Sequence, residues 1–372
     1  MKTRLYYILI AITGFSLFTA CKKMDSTYKQ FIVEGGITYP GKAKSAVLHG
    51  GNKRAKLVWL RGTDPKIVKT KIFWNSNQDS VEVNIPAGQD LASYTFNNLQ
   101  ENYYIFSIKN YDAKGRQSVA VEVGGNVYGE KYQSRILERP INTAYLKNSN
   151  ILSINWNVAD TVTGAYKTEV EYTSTAGMLK TVRFNAAQLV TDIADYRQGT
   201  SLKYRTLYLP DTAAIDTFYT SYLIKSEVLL DKKEWTLTAF SDQYSSGNEA
   251  AKNMIDGNQY TRWHTNGSAY PHWITVDMGA VRTIKRFSTL NSLYDGPGGD
   301  NRAPIRIRFE VSMDNVTWTN AGEFSSNNTI LSEQFYQLPA AATGRYFKLT
   351  GLQGPAGNSQ YMVLGEVSAY MY

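Results

Sequence analysis

Short runs in which apolar and polar residues alternate, each closed by turn-forming residues, recur along most of this chain and confine it to β-structure. Val81, Val83 and Ile85 alternate with Glu82 and Asn84, the period of a strand with one buried face. Comparable segments fall at Lys56–Leu60, Lys69–Trp74, Ser80–Ile85, Ser93–Leu99, Tyr103–Asn110 and Ser118–Val123. Asp112-Ala113-Lys114-Gly115 has the chemistry of a turn between the last two. Strands this short and this closely spaced predict a β-sandwich over residues 46–125. An aromatic content of 13% agrees, because Tyr, Phe and Trp fit pleated surfaces. The pattern then returns: Trp156 and Tyr172 repeat the spacing of Trp59 and Trp74 to within one residue. A second sandwich is expected over residues 126–225, leaving 226–372 for a third unit.

The beginning of the chain has a different character. Lys2 and Arg4 precede an apolar stretch, Leu5–Phe18, and Thr19-Ala20-Cys21 follows. The stretch is shorter than the ~20 residues a spanning helix needs and suits the apolar core of an export signal. Small residues directly before a cysteine resemble the bacterial lipobox. That resemblance implies that residues 1–20 are a lipoprotein signal peptide, that Cys21 is lipidated, and that residues 21–45 are a tether. It also implies an outer-membrane lipoprotein, on the periplasmic or the cell-surface face. An ordinary signal followed by an incidental cysteine is the alternative. Cys21 is the only cysteine, which excludes intrachain disulfides and thiolate metal sites, and three histidines leave little room for histidine-rich metal chemistry. The net charge of +8 is spread along the chain and not gathered in blocks, so nucleic acid is not an expected partner.

Both expected sandwiches resemble fibronectin type III domains, the first through Leu99 followed by Tyr104-Ile105-Phe106. Residues 31–225 as a block resemble domain of unknown function 4998, through Val33-Glu34-Gly35-Gly36-Ile37-Thr38-Tyr39-Pro40-Gly41-Lys42 and Asp216-Thr217-Phe218-Tyr219. That family has no assigned activity. The third unit carries Asn253-Met254-Ile255-Asp256-Gly257-Asn258, Thr261-Arg262-Trp263-His264-Thr265 and His272-Trp273-Ile274-Thr275-Val276-Asp277-Met278-Gly279. Phe309-Glu310-Val311-Ser312-Met313-Asp314, Trp318, Gly344-Arg345-Tyr346-Phe347 and Gly365-Glu366-Val367 follow in order. Together these resemble the discoidin, or coagulation factor 5/8 type C, domain. The resemblance implies an eight-stranded jelly roll and, as in bacterial members, a family-32-type carbohydrate-binding module. The expected fold class is therefore all-β: two tandem fibronectin type III-like β-sandwiches followed by a discoidin-type jelly-roll β-sandwich. Trp263, Trp273 and Trp318 are expected in its core, and Asp277 in a turn.

Calcium takes oxygen ligands, with carboxylates supplying charge and carbonyls filling the shell. The turn Asp256-Gly257-Asn258, the Thr261 hydroxyl and the Glu366 carboxylate offer such donors. The resemblance implies a structural calcium held by Asp256, Glu366 and Thr261, with carbonyls of Asn253, Asn258 and Gly365; metal-free hydrogen bonding by Glu366 is the alternative. For sugar, aromatic faces and a few fixed polar groups are needed. The resemblance implies His264 as a ligand histidine, Tyr361 as a stacking ring, and Asn301 and Arg302 as a polar loop, with Tyr270 and Tyr294 as further loop aromatics. Gly267 stands where relatives often carry a second tryptophan, and Asn291-Ser292-Leu293-Tyr294-Asp295 lacks their Tyr-x-x-Arg segment.

No nucleophile elbow, HExxH or phosphate loop occurs, and no catalytic residue is assigned. The expected function is non-catalytic carbohydrate binding by a surface lipoprotein, with the N-terminal sandwiches as spacer or docking units. The alternatives are an adhesion or assembly subunit with protein neighbours at the cell surface, and an accessory part of a glycan-degrading system with weak hydrolase activity.

Overall fold

The computed structural model describes residues 31, 36, 38–147 and 150–371. Cys21, the signal segment and most of the expected tether lie outside the described residues. The chain divides into two units, residues 1–128 and 129–372.

The first unit contains β1 (Lys44–Gly50), β2 (Arg54–Leu60), β3 (Ile67–Trp74), β4 (Asp79–Asn84), β5 (Leu91–Asn97), β6 (Asn102–Asp112) and β7 (Val121–Val127). They form two antiparallel sheets in the orders β1-β2-β5 and β4-β3-β6-β7, the arrangement of a fibronectin type III sandwich. Alternation does the sorting: β2 buries Ala55, Leu57 and Trp59 and turns Arg54 and Lys56 outward. Leu57, Trp59, Ile72, Phe96, Phe106 and Ile108 fill the space between the sheets. Ala43, within the stretch expected as tether, is buried in this core, and β1 begins directly after it. The turn after β6 forms as expected: Lys114 and Arg116 donate their amides to Asp112 Oδ1, and Gly115 takes φ +79°.

The second unit opens with the same plan. Its strands are β8 (Ile141–Leu146), β9 (Leu152–Trp156), β10 (Ala165–Thr173), β11 (Leu179–Asn185), β12 (Val190–Ile193), β13 (Leu202–Tyr208), β14 (Phe218–Tyr219) and β15 (Leu223–Lys225). The triplet β12-β9-β8 belongs to one sheet and β11-β10-β13 to the other, with β14 and β15 both on β13. Trp156 and Tyr204 meet edge-to-face at 5.5 Å between the layers.

The remaining strands are β16 (Val228–Leu230), β17 (Thr236–Phe240), β18 (Trp263–His264), β19 (His272–Leu290), β20 (Arg306–Ser312), β21 (Thr319–Ser325), β22 (Gln334–Gln353), β23 (Val363–Leu364) and β24 (Glu366–Met371). Strand β16 pairs with β24 on one edge and, in parallel, with β8 on the other, placing Leu229 opposite Tyr145 and Leu230 opposite Leu146. One sheet therefore runs β12-β9-β8-β16-β24-β19-β22-β20-β21, with β17 also on β19. The core is equally continuous: Leu146 and Ile154 belong to the same buried cluster as Val228, Phe287 and Phe347. Strands β19 and β22 pass between the two layers of the jelly roll through irregularities at Asp277/Arg282 and Ile284/Arg286. The expected turn at Asp277–Gly279 is such a bulge, with Gly279 at φ +78° donating its amide to Asp277 Oδ1.

Of the three tryptophans expected in this core, only Trp263 is there, fully buried with Nε1 donating to the Asp242 carbonyl. Trp273 and Trp318 are half-buried on the outer face, and Lys348 Nζ lies 5.0 and 5.8 Å from their ring centres. The reason is strand parity. His272, Ile274 and Val276 point inward, so Trp273 must point out.

Candidate functional site

Two clusters of charged and polar side chains lie at the loops of the jelly roll. The first is built on the turn after a short 3-10 segment, Ala251–Ile255. Asn253 Nδ2 donates to the carbonyls of Gly247 (2.8 Å) and Arg262 (3.0 Å), fixing that segment against β18. The turn closes at Gly257, whose φ of +80° suits glycine. Asn258 N donates to both Asp256 Oδ1 and Glu366 Oε1, each at 2.8 Å. Thr261 Oγ1 donates to Asp256 Oδ2 and to the Asn258 carbonyl, each at 2.7 Å. Gly365 sits where a side chain would crowd the Leu290 carbonyl and Ser292.

The structure thus gathers Asp256, Asn258, Thr261 and Glu366 into one bonded group, with Asn253 and Gly365 bracketing it in the chain. The donors are all oxygens, the set a hard cation such as calcium takes. Sequence reasoning missed a cation already present: Lys232 Nζ donates to Glu366 Oε2. Glu366 is buried and Lys232 largely so, 3% and 15% exposed. Burial pushes the Glu366 carboxyl up to about 7, against the opposing pull of that ammonium.

The second cluster surrounds His264, the buried last residue of β18. Its Nδ1 lies 2.7 Å from the Thr265 carbonyl and its Nε2 2.8 Å from Arg302 Nη1. A guanidinium only donates, so Nε2 carries the lone pair, the proton is on Nδ1 and the ring is neutral. Arg302 also forks onto Asp300, through Nε at 2.9 Å and through Nη2. Asp300 in turn accepts from Arg262 Nη1 at 3.0 Å, and Arg262 reaches Glu249 and Asp295 as well. Burial works against the Asp300 carboxylate, and its hydrogen bonds with Arg302 outweigh it and hold its pKa below the usual range.

Aromatic rings border this core of charge. The Tyr361 ring stands 5.7 Å from His264 at 65°, and the Tyr244 ring 5.1 Å from it at 48°. Tyr361 is 39% exposed and Tyr244 61%. Gly267 lies flat beneath Tyr361: a Cβ there would approach the ring to 3.0 Å, at φ +82°. A side chain there would require the Tyr361 ring to shift and would sit at a backbone angle that favours glycine. Tyr294 is covered by the Arg262 guanidinium, 4.4 Å above its ring. Tyr270 braces from behind, donating its hydroxyl to the Tyr361 carbonyl at 3.1 Å and packing on His272, and burial raises its phenol. Asn301 is exposed beside Arg302, its carbonyl accepting from Asn328 Nδ2.

Arg302 and Tyr361 therefore each meet His264, while Tyr270, Tyr294 and Asn301 are peripheral to that centre. Tyr244, Arg262, Glu249, Asp295 and Asp300 were not singled out from sequence. Tyr244 reaches the site through its amide, which donates to the His264 carbonyl at 2.7 Å, a pairing across 20 residues that leaves no local signal.

Two family models match the chain: DUF4998, a domain of unknown function, over residues 21–218, and the F5/8 type C domain over residues 236–366. A curated sialidase from Micromonospora viridifaciens is 26% identical over 145 residues, which cover 37% of this chain and 22% of that relative. The C-terminal domain of a chitobiase from Bacteroides fragilis is 29% identical over 38% of this chain and 95% of its own, with a TM-score of 0.33. A family 32 carbohydrate-binding module from Clostridium perfringens, in complex with galactose, is 22% identical over 39% of this chain and 98% of its own, with a TM-score of 0.33. The first model covers more than half of the 372 residues, so the chain belongs to the DUF4998 family and carries an F5/8 type C domain toward its C-terminal end.

Proposed function

We propose that the chain is a non-catalytic lipoprotein of an outer membrane, attached through Cys21, that binds neutral carbohydrate at the His264 cluster, with the N-terminal sandwiches as spacer or docking units. The observation that carries this reading is the pair of exposed rings, Tyr244 and Tyr361, both packed on a histidine whose two nitrogens are fixed. Sugar rings stack their C–H faces on such aromatics, and rigid polar groups orient their hydroxyls. The charge balance supports the neutral class. Every guanidinium nitrogen of Arg262 and Arg302 already has an acceptor, and three carboxylates face two guanidiniums. An anionic sugar would meet excess negative charge.

A structural calcium at Asp256, Thr261 and Glu366, completed by carbonyls of Asn253, Asn258 and Gly365, is part of the same proposal. It would tie the turn to the last strand and take no part in any reaction. The oxygen-only donor set supports it.

Calorimetric titration of the full chain with neutral and acidic glycans tests the reading. A neutral ligand is expected with Kd between tens of micromolar and millimolar, about −4 to −6 kcal/mol. Undiminished binding by a Tyr244→Ala/Tyr361→Ala variant would place the site elsewhere. New reducing ends after incubation would make the protein a hydrolase, and retention of protein without glycan would favour the adhesion or assembly role. Detergent partitioning of Cys21→Ala tests the anchor.

A further inference from the structure

Lys232 is not a wandering surface lysine. It opens the one-turn segment Lys232–Glu234, which Asp231 caps by accepting the Lys233 amide at 3.1 Å. On its N-terminal side the chain is β16, bonded on both edges. On its C-terminal side Trp235 is buried and packs edge-to-face on Phe347 at 5.3 Å. The backbone is thus pinned at both ends and delivers Nζ onto Glu366 Oε2 with little freedom. The same carboxylate receives Asn258 N on its other oxygen, and that amide is shared with Asp256.

We infer that Lys232 Nζ is a tethered counter-cation for the Asp256–Glu366 pair, and that a metal ion enters only by displacing it. This rests on reading the pair as a cation site. Two carboxylates brought to one amide repel each other unless a positive charge lies between or beside them. A lysine supplies one charge and point-like donors; calcium supplies two and requires six to eight oxygens. With Nζ on Oε2, one coordinating oxygen is occupied and the arriving dication meets an ammonium at short range. The displaced side chain has somewhere to go. A groove of about 700 Å³ opens beside it, lined by Lys232, Lys233, Tyr145, Glu333, Glu366 and Tyr370 among others. Glu333 supplies a second carboxylate there, already accepting from Ser288 Oγ and Tyr370 Oη. Lys232 therefore sets the calcium concentration at which the turn and the last strand become metal-bridged, and keeps them joined below it.

The test is thermal unfolding of the full chain across a calcium series starting in chelator, for wild type, Lys232→Met and Lys232→Gln. The expected result is a calcium midpoint at least tenfold lower in Lys232→Met, together with a lower melting temperature than wild type in chelator. Lys232→Gln, which keeps a donor without the charge, should shift the midpoint in the same direction and serves if the methionine variant does not fold without metal. Identical calcium midpoints in wild type and both variants would overturn the competition while leaving the calcium reading intact. Absence of any calcium response in all three would overturn both, leaving Lys232 as an ion-pair partner only.

Discussion

The two charged clusters of the jelly roll lie on neighbouring loops and solve the same problem differently. Around His264, three carboxylates are held by two arginines whose planar forks give each carboxylate a directed donor. Around Glu366, two carboxylates share one backbone amide, one hydroxyl and a single lysine. The first cluster is closed by its donors: every guanidinium nitrogen already has an acceptor, and its visible surface is aromatic. The second has the same one-charge deficit but fewer donors, so it stays open to a cation from solution. A rigid floor under exposed rings suits recognition of a ligand, and an under-compensated carboxylate pair suits metal.

The largest test of that contrast is Arg262→Met. It deprives the largely buried Glu249 of its guanidinium and leaves Asp300 to Arg302 alone, a loss expected at about 3 kcal/mol in thermal unfolding. Arg262→Lys should recover only part, because one ammonium cannot fork onto three carboxylates. A variant as stable as wild type would break the idea of a closed scaffold. Next in size is calcium itself. At a hundredfold excess over Kd a metal bound only by the folded state adds about 2.7 kcal/mol, and Asp256→Ala should remove that gain. Equal melting of wild type with and without chelator would make the two clusters alike in being metal-free.

A pH titration in chelator sharpens the same point. Since the Glu366 carboxyl is raised from 4.5 to about 7 in the folded state, its stabilisation is complete below about 4.5 and lost as pH climbs through about 7. Stability should fall across that window, and Glu366→Gln should flatten the slope. His264→Ala should cost on the order of 1–3 kcal/mol, in sugar affinity and in stability together, because the ring is buried and both nitrogens are bonded. The smallest effects belong to Tyr244→Ala and Tyr361→Ala: about 1 kcal/mol each in glycan affinity, with melting unchanged. A stability loss there would assign those rings to the scaffold.

How much of this was legible beforehand depends on whether the signal is local. The strands of both sandwiches are written in alternation, as at Val81–Ile85, and the turn at Asp256-Gly257-Asn258 in residue chemistry. Trp263 was read correctly as core. Trp273 was not, because a large ring biases the reading toward burial while the register of its neighbours decides the face. The histidine, arginine and tyrosine of the His264 cluster come from the family resemblance. Tyr244 reaches it only through long-range packing, the carboxylate partners of Arg262 lie 13 to 38 residues from it, and Lys232 meets Glu366 from 134 residues away.

The parallel joint between β8 and β16 bears on how such chains are inherited. Val228–Leu230 is a strand of three residues that completes a sheet on both sides. A recombination breakpoint just before it would deliver a jelly roll whose β16 edge presents unpaired amides and carbonyls, an invitation to pair with another copy. It would also cut a single buried cluster in two. The joint therefore makes residues 129–372 one packed body, although the two matched families meet inside it, between residues 218 and 236.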